Sequence, residues 1–128
     1  MIIFQKFIHR QDLTNNPEVY YVFGDNDMRI GKGGQAKEMR GEKNTRGIRV
    51  KKSPGTKTNN YYTDKEYEEN IKKIDDDFMF VECMLQREKI FVIPSNGIGT
   101  GLARLQEFAP KTLQYVKNKI KELWEKYN

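Results

Sequence analysis

The chain has 128 residues, with 23 basic and 18 acidic side chains for a formal net charge of +5; 37% of its residues are hydrophobic and 32% charged. That length fits one domain, 1–128, with a core beneath a strongly polar surface, and the positive balance favours anionic partners. A single cysteine, Cys83, and a single histidine, His9, exclude an intramolecular disulfide, a thiolate-built metal site and a two-histidine zinc site.

Met1 to Phe7 lacks the basic-then-apolar order of a signal peptide. No apolar run approaches the roughly 20 residues that a membrane crossing needs. The expectation is a cytoplasmic protein without a membrane partner. Ile2 to Ile8 reads as a first strand, and Asp12 to Pro17 as a connecting turn. His9 reads as a strand-end or surface histidine. Val19 to Phe23, β-branched and aromatic between Pro17 and Gly24, is the pattern of a buried central strand. It stops at Gly24-Asp25-Asn26. A glycine-rich loop follows, Asp27 to Gly34, containing Gly31, Gly33 and Gly34, and Gln35 to Arg40 reads as a short helix ended by Gly41.

Gly47 to Lys52 reads as another strand, ending on the pair Lys51-Lys52, with a loop at Pro54-Gly55. Thr63 with Glu66 three residues on has the spacing of a capping box. The helix it would open runs to about Gln86 and carries Tyr67, Ile71, Ile74, Phe78, Val81 and Leu85 as one apolar stripe. Asp75-Asp76-Asp77 on this helix reads as a solvated face, because adjacent residues fan out around a helix. Ile90 to Ile93 is the next buried strand. It leads into the loop Ser95 to Ala103, where Gly97, Gly99 and Gly101 alternate with Asn96, Ile98 and Thr100. Pro110 then opens a helix with Leu113, Val116, Ile120, Leu123, Trp124 and Tyr127 on its apolar side.

Strands alternate with helices, so the class is α/β with a mostly parallel or mixed sheet flanked by helices. In such sheets ligands gather at the carboxyl ends of strands, where both glycine loops lie. Each loop either offers backbone N–H groups to a phosphate or is an ordinary strand-to-helix turn. Asp25 and Asn26, at the end of a central strand, contact a ligand or cap the turn. Lys51 and Lys52 bind phosphate, act as nucleophile or base, or are ordinary surface lysines. A separate reading takes the basic stretch Arg46 to Lys57, with Tyr61 and Tyr62 as stacking surfaces, for a nucleic-acid contact.

The run Ile90 to Pro94 followed by Gly97-Ile98-Gly99-Thr100-Gly101-Leu102-Ala103-Arg104-Leu105-Gln106 resembles the second ligand loop of macrodomains. It is most similar to the branch of terminal ADP-ribose glycohydrolases and O-acyl-ADP-ribose deacylases, where Gly-x-Gly-Leu-x-x-Leu follows the strand. Gly31-Lys32-Gly33-Gly34-Gln35-Ala36 resembles that fold's first glycine loop, and Ile48 to Lys52 the strand with the branch's nucleophilic lysine. Small macro-like proteins of bacteria and their phages share the pattern, which here spans Tyr20 to Leu123.

The resemblance implies a macrodomain-like mixed sheet flanked by helices, with ADP-ribose or a related NAD-derived nucleotide as ligand and no cofactor or metal. Ser95 to Gly101 would wrap the diphosphate, and Gly33-Gly34, with Gly31 and Gln35 beside them, would close on the distal ribose. In macrodomains an aspartate after a glycine contacts the adenine amino group, while an asparagine before the glycine loop faces the distal ribose. Asp25 and Asn26 supply both kinds of residue in one turn. Position favours the asparagine role for Asn26. Lys51 or Lys52 would be the nucleophile of an ADP-ribosyl hydrolase or deacylase, acting on the nucleotide or on an ADP-ribosylated macromolecule. The alternative is a binding module that sequesters or senses the nucleotide, as in phage counter-defence. The branch places an aspartate just after Gly-Leu as partner to its lysine. This chain has Ala103 there.

Overall fold

A computed structural model describes all residues 1–128. Four strands, β1 (Ile2–Gln5), β2 (Tyr20–Asn26), β3 (Thr45–Lys51) and β4 (Phe91–Pro94), form one sheet in the order β1-β4-β2-β3. Every neighbouring pair runs parallel, and one isolated antiparallel bridge joins Lys51 to Tyr61. The helices are α1 (Arg10–Asn15), α2 (Ala36–Met39), α3 (Tyr67–Gln86), α4 (Leu105–Phe108) and α5 (Pro110–Tyr127). The fold is thus α/β, a sheet flanked by helices.

Side-chain alternation along the strands divides the core between two faces. Tyr21 and Phe23 of β2 and Val92 of β4 pack with Leu13 of α1 and Ala36 and Met39 of α2. On the opposite face Val22, Ile48, Val50, Phe91 and Ile93 meet Ile74, Phe78, Val81 and Leu85 of α3 and Leu113, Val116 and Leu123 of α5. The apolar stripes of the two long helices are therefore largely core, except for Trp124, which is 41% exposed and packs on Phe4 outside the core.

Several elements depart from their sequence signals. Residues 12–17 are not a plain turn: α1 occupies 10–15, with Asp12 accepting the His9 N–H at 2.9 Å and the Gln5 amide at 3.0 Å. A six-residue helix that buries only Leu13 shows no apolar period. β2 continues through Gly24-Asp25-Asn26 because these residues pair with Ile48, Arg49 and Lys51 of β3, with a bulge between Asp25 and Asn26. Thr63 opens a 3-10 turn, Asp64–Glu66, and no capping box forms. Glu66 instead takes the Lys52 ammonium at 2.8 Å. Asp64 is drawn off to the start of α5, where its carboxylate accepts the N–H groups of Lys111 (2.8 Å) and Thr112 (3.0 Å) and acts as a cap from outside the helix.

The acidic triplet is the largest correction. Asp76 is exposed, but Asp77 is fully buried. Its Oδ1 accepts from Arg29 Nη2 (2.6 Å) and Arg46 Nη2 (3.4 Å), and its Oδ2 from the Arg49 N–H (2.7 Å) and Nε (3.1 Å). One carboxylate on α3 thereby ties down β3 and the turn after β2. At the other edge of the sheet, the Ile2 N–H donates to the Asn128 side-chain oxygen and the Asn128 amide donates back to the Ile2 carbonyl, both at 2.9 Å.

Candidate functional site

The chain leaves β2 toward α2 on one face of the sheet and leaves β4 toward α5 on the other, although β2 and β4 are neighbours. Connections that depart to opposite faces leave a crevice between the strand ends. A cavity of about 520 Å³ lies there. Its wall comes from the loop after β2 (Ile30 to Gln35), the loop after β4 (Asn96 to Ala103), Lys51 with Pro54 and Gly55 after β3, and Lys6 after β1.

Two runs of peptide N–H groups on this wall have no partner within the chain, from Ile30 to Gln35 and from Ile98 to Ala103. Ile98, Gly99 and Ala103 are buried residues. More than about 90% of buried backbone N–H groups are normally paired, so the free N–H groups at these three residues suit an acceptor, whereas those from Ile30 to Gly34 are on exposed residues open to water. The charges agree: Lys6, Lys32, Arg40 and Lys51 line the cavity with Asp25 as the one carboxylate.

Gly99 has φ +91°, and a Cβ there would run into the Leu105 side chain, so only glycine lets the loop turn this closely above the first turn of α4. At Gly33 a Cβ would stand 2.6 Å from Leu102 Cδ1. Leu102, 61% exposed, thus leans across from one glycine loop onto the other.

Lys51 reaches the cavity and donates from Nζ to the Gly55 carbonyl at 2.5 Å, with the ammonium 4.9 Å from the centre of the Tyr61 ring. Burial, with a further push from Arg104, holds its pKa below the ordinary lysine value. Lys52 does not face the cavity. Its ammonium is held by Glu66 at 2.8 Å instead, so Lys51 alone of the pair belongs to the site. The hydrogen bond from Lys52 lowers the Glu66 pKa in turn.

Of the loop after β4, Asn96, Gly97, Ile98, Gly99, Thr100 and Gly101 line the cavity, while Ser95 does not; its N–H is spent on the Gln5 carbonyl at 3.0 Å. Gly31, Gly33, Gly34 and Gln35 line it too. Asp25 and Asn26 are on the wall but are engaged within the protein. Asp25 Oδ1 accepts from Arg40 Nη2 (2.6 Å) and the Asn26 N–H (2.8 Å), and Oδ2 from Arg29 (3.3 Å) and Arg40 Nη1 (3.4 Å). The Asn26 amide donates to the Ile30 carbonyl at 2.7 Å and accepts the Met28 N–H at 3.0 Å.

Lys6 and Arg40 are wall residues without a sequence signal of their own. Lys6 comes from the end of β1, and only the strand order reveals that β1 abuts β4. Tyr61 and Tyr62 are not stacking surfaces. Both are buried, Tyr61 against Phe108 at 4.4 Å between ring centres, Tyr62 with its hydroxyl on Asp27. Burial and that carboxylate hold the Tyr62 pKa far above the ordinary tyrosine value.

Fold and site together define an α/β protein with a basic crevice, rich in backbone donors, at the ends of its parallel strands. The chain belongs to a family of unknown function (DUF7831), whose model matches residues 3–119. No curated protein and no solved structure matches it. No helix is long and apolar enough to cross a membrane.

Proposed function

We propose that the chain binds ADP-ribose or a related NAD-derived nucleotide. The diphosphate lies against the loop Asn96 to Gly101, whose free donors run from Ile98 onward because the Gly97 N–H is held by the Pro94 carbonyl at 2.9 Å, and the distal ribose lies against Gly33-Gly34, beside Lys51. The observation that carries this reading is the pair of unpartnered N–H runs converging on one basic crevice. Oriented backbone donors with little competing carboxylate suit a diphosphate, whose oxygens accept and never donate. The macrodomain likeness of Gly99 to Leu105 adds the nucleotide to the anion.

Binding is the primary role. A hydrolytic reading is favoured by one observation: Lys51, with its lowered pKa, is more often a free amine than an exposed lysine, which suits a nucleophile. Against it, Ala103 lies where the branch has its lysine's carboxylate partner, and no acidic residue forms an ion pair with Lys51. An ADP-ribosylated macromolecule would present the same group to the same crevice.

Calorimetry with ADP-ribose tests the common premise, and absence of binding at millimolar ligand refutes it. If the chain also hydrolyses, Lys51→Ala abolishes turnover and keeps much of the binding, while Lys52→Ala leaves turnover intact. Loss of turnover in the Lys52 variant alone would overturn the assignment of Lys51.

A further inference from the structure

We infer that the rim of the crevice is a surface for single-stranded nucleic acid, whose phosphates rest on Lys6, Lys32, Lys57 and Arg104 and one of whose bases stacks on Phe7. The inference concerns what lies across the mouth of the crevice and goes beyond the nucleotide reading, which concerns what fills it.

Charge is sorted between the two ends of the sheet. Because all four strands are parallel, the loops that open from their carboxyl ends, 6–9, 27–35, 52–60 and 95–104, share one edge. These loops hold six basic residues, Lys6, Arg29, Lys32, Lys52, Lys57 and Arg104, against one acidic residue, Asp27. Asp27 is spent on Lys73 at 2.7 Å and on the Tyr62 hydroxyl. Asp64 and Glu66, next along the chain after β3, are spent on the start of α5 and on Lys52. The loops at the amino ends, 16–19, 40–44 and 87–90, are nearly balanced, with four basic residues against Glu18, Glu42 and Glu88. Lysines that serve only solubility need no such sorting, whereas a polyanionic partner does.

Arg29 and Lys52 are held in ion pairs, while Lys6, Lys32, Lys57 and Arg104 are exposed and form none. These four follow a continuous rim. Lys32 lies between Gly31, where a Cβ would stand 3.4 Å from the Pro54 ring, and Gly33, where it would stand 2.6 Å from Leu102. Lys57 and Arg104 come shortly after those two contacts in the chain, and Lys6 is on the cavity wall at the end of β1. Four strands spaced about 4.8 Å apart make this edge roughly 14 Å wide, more than one diphosphate spans and suited to a chain of phosphates.

Phe7 decides the kind of polyanion. Its ring is 68% exposed, with the Lys6 ammonium 5.5 Å from the ring centre. An acidic protein surface would answer the lysines and leave that ring bare. A single strand supplies free bases that stack on it, which a duplex keeps paired. Of the basic stretch that ends at Lys57, Arg46 and Arg49 are committed to Asp77, so the surface is drawn from four loops and not from one run of sequence.

The test is fluorescence anisotropy on the full chain with a labelled oligothymidylate of about twelve nucleotides. Four phosphate contacts predict binding weakened about fiftyfold between about 50 and 200 mM salt. Lys32→Glu and Lys57→Glu each weaken binding by more than Lys117→Glu, which makes the same charge change at an exposed position of α5. Phe7→Ala weakens it at least about fivefold and leaves the salt slope unchanged. No binding at low salt, equal losses from Lys117→Glu and the rim variants, or unchanged affinity in Phe7→Ala overturns the inference. Polyglutamate bound as tightly as the oligonucleotide also overturns it, in favour of an acidic protein partner. Absence of ADP-ribose binding with this pattern intact overturns the nucleotide reading alone.

Discussion

Replacing Asp77 by alanine removes the acceptor of four donor groups at once: the guanidinium groups of Arg29, Arg46 and Arg49 and the Arg49 N–H. Breaking a buried ion pair from one side leaves the opposite charge uncompensated, at about 3–5 kcal/mol. The three arginine side chains are 38%, 32% and 24% exposed, so water recovers part of that loss. A cost of about 2–4 kcal/mol follows. Asp76→Ala, one residue earlier and exposed, is the control and should stay within about 0.5 kcal/mol of the parent. Urea unfolding followed by circular dichroism reads both, with the slope of the transition checked for constancy. Equal, small costs for the two variants would refute the inward placement of Asp77 and restore the solvated acidic face.

Two further predictions concern the crevice. Gly99→Ala forces a Cβ into Leu105 at a positive φ and should cost about 2–4 kcal/mol in the same assay, whereas Gly33→Ala meets only the mobile end of an exposed leucine and should cost under about 1 kcal/mol; equal costs would contradict the loop geometry. Lys51→Met should stabilise the fold most at neutral pH, with the gap to the parent closing in alkaline melts. The folded-state pKa of Lys51 is lowered, so between that pKa and the unfolded value near 10.5 the unfolded chain holds the extra proton and parent stability rises with pH. A gap that stays constant across that window would refute the partly buried placement of Lys51.

The parts of the molecule that depend on local chemistry were readable in the residues. Glycines at 31, 33, 34, 97, 99 and 101 signal backbone-lined loops whatever the tertiary fold, and the stripes of α3 and α5 follow from helical spacing. What escaped depends on neighbours. The strand order β1-β4-β2-β3 sets the two glycine loops on neighbouring strands and adds Lys6 from beside β4 and Lys51 from beside β2 to one crevice. The role of Asp77 was accessible in part: it lies three residues after Ile74 and four before Val81, on the buried side of α3, so a carboxylate there requires cations. The saturation of Asp25 was not accessible, because Arg40 reaches it from the C-terminal end of α2, beyond the next loop.

The exchange between Ile2 and Asn128 has a consequence for solubility. A parallel sheet ends in two open edges, each a template on which a foreign strand can assemble. On β1 the Asn128 amide, one donor and one acceptor, satisfies both outward groups of Ile2 as a neighbouring strand would. With the strand only four residues long, Phe4 is left as the single outward-facing position between its ends, too little ladder for another chain to extend. A single side chain thus shields an edge that carries the exposed apolar residues Ile3 and Phe4.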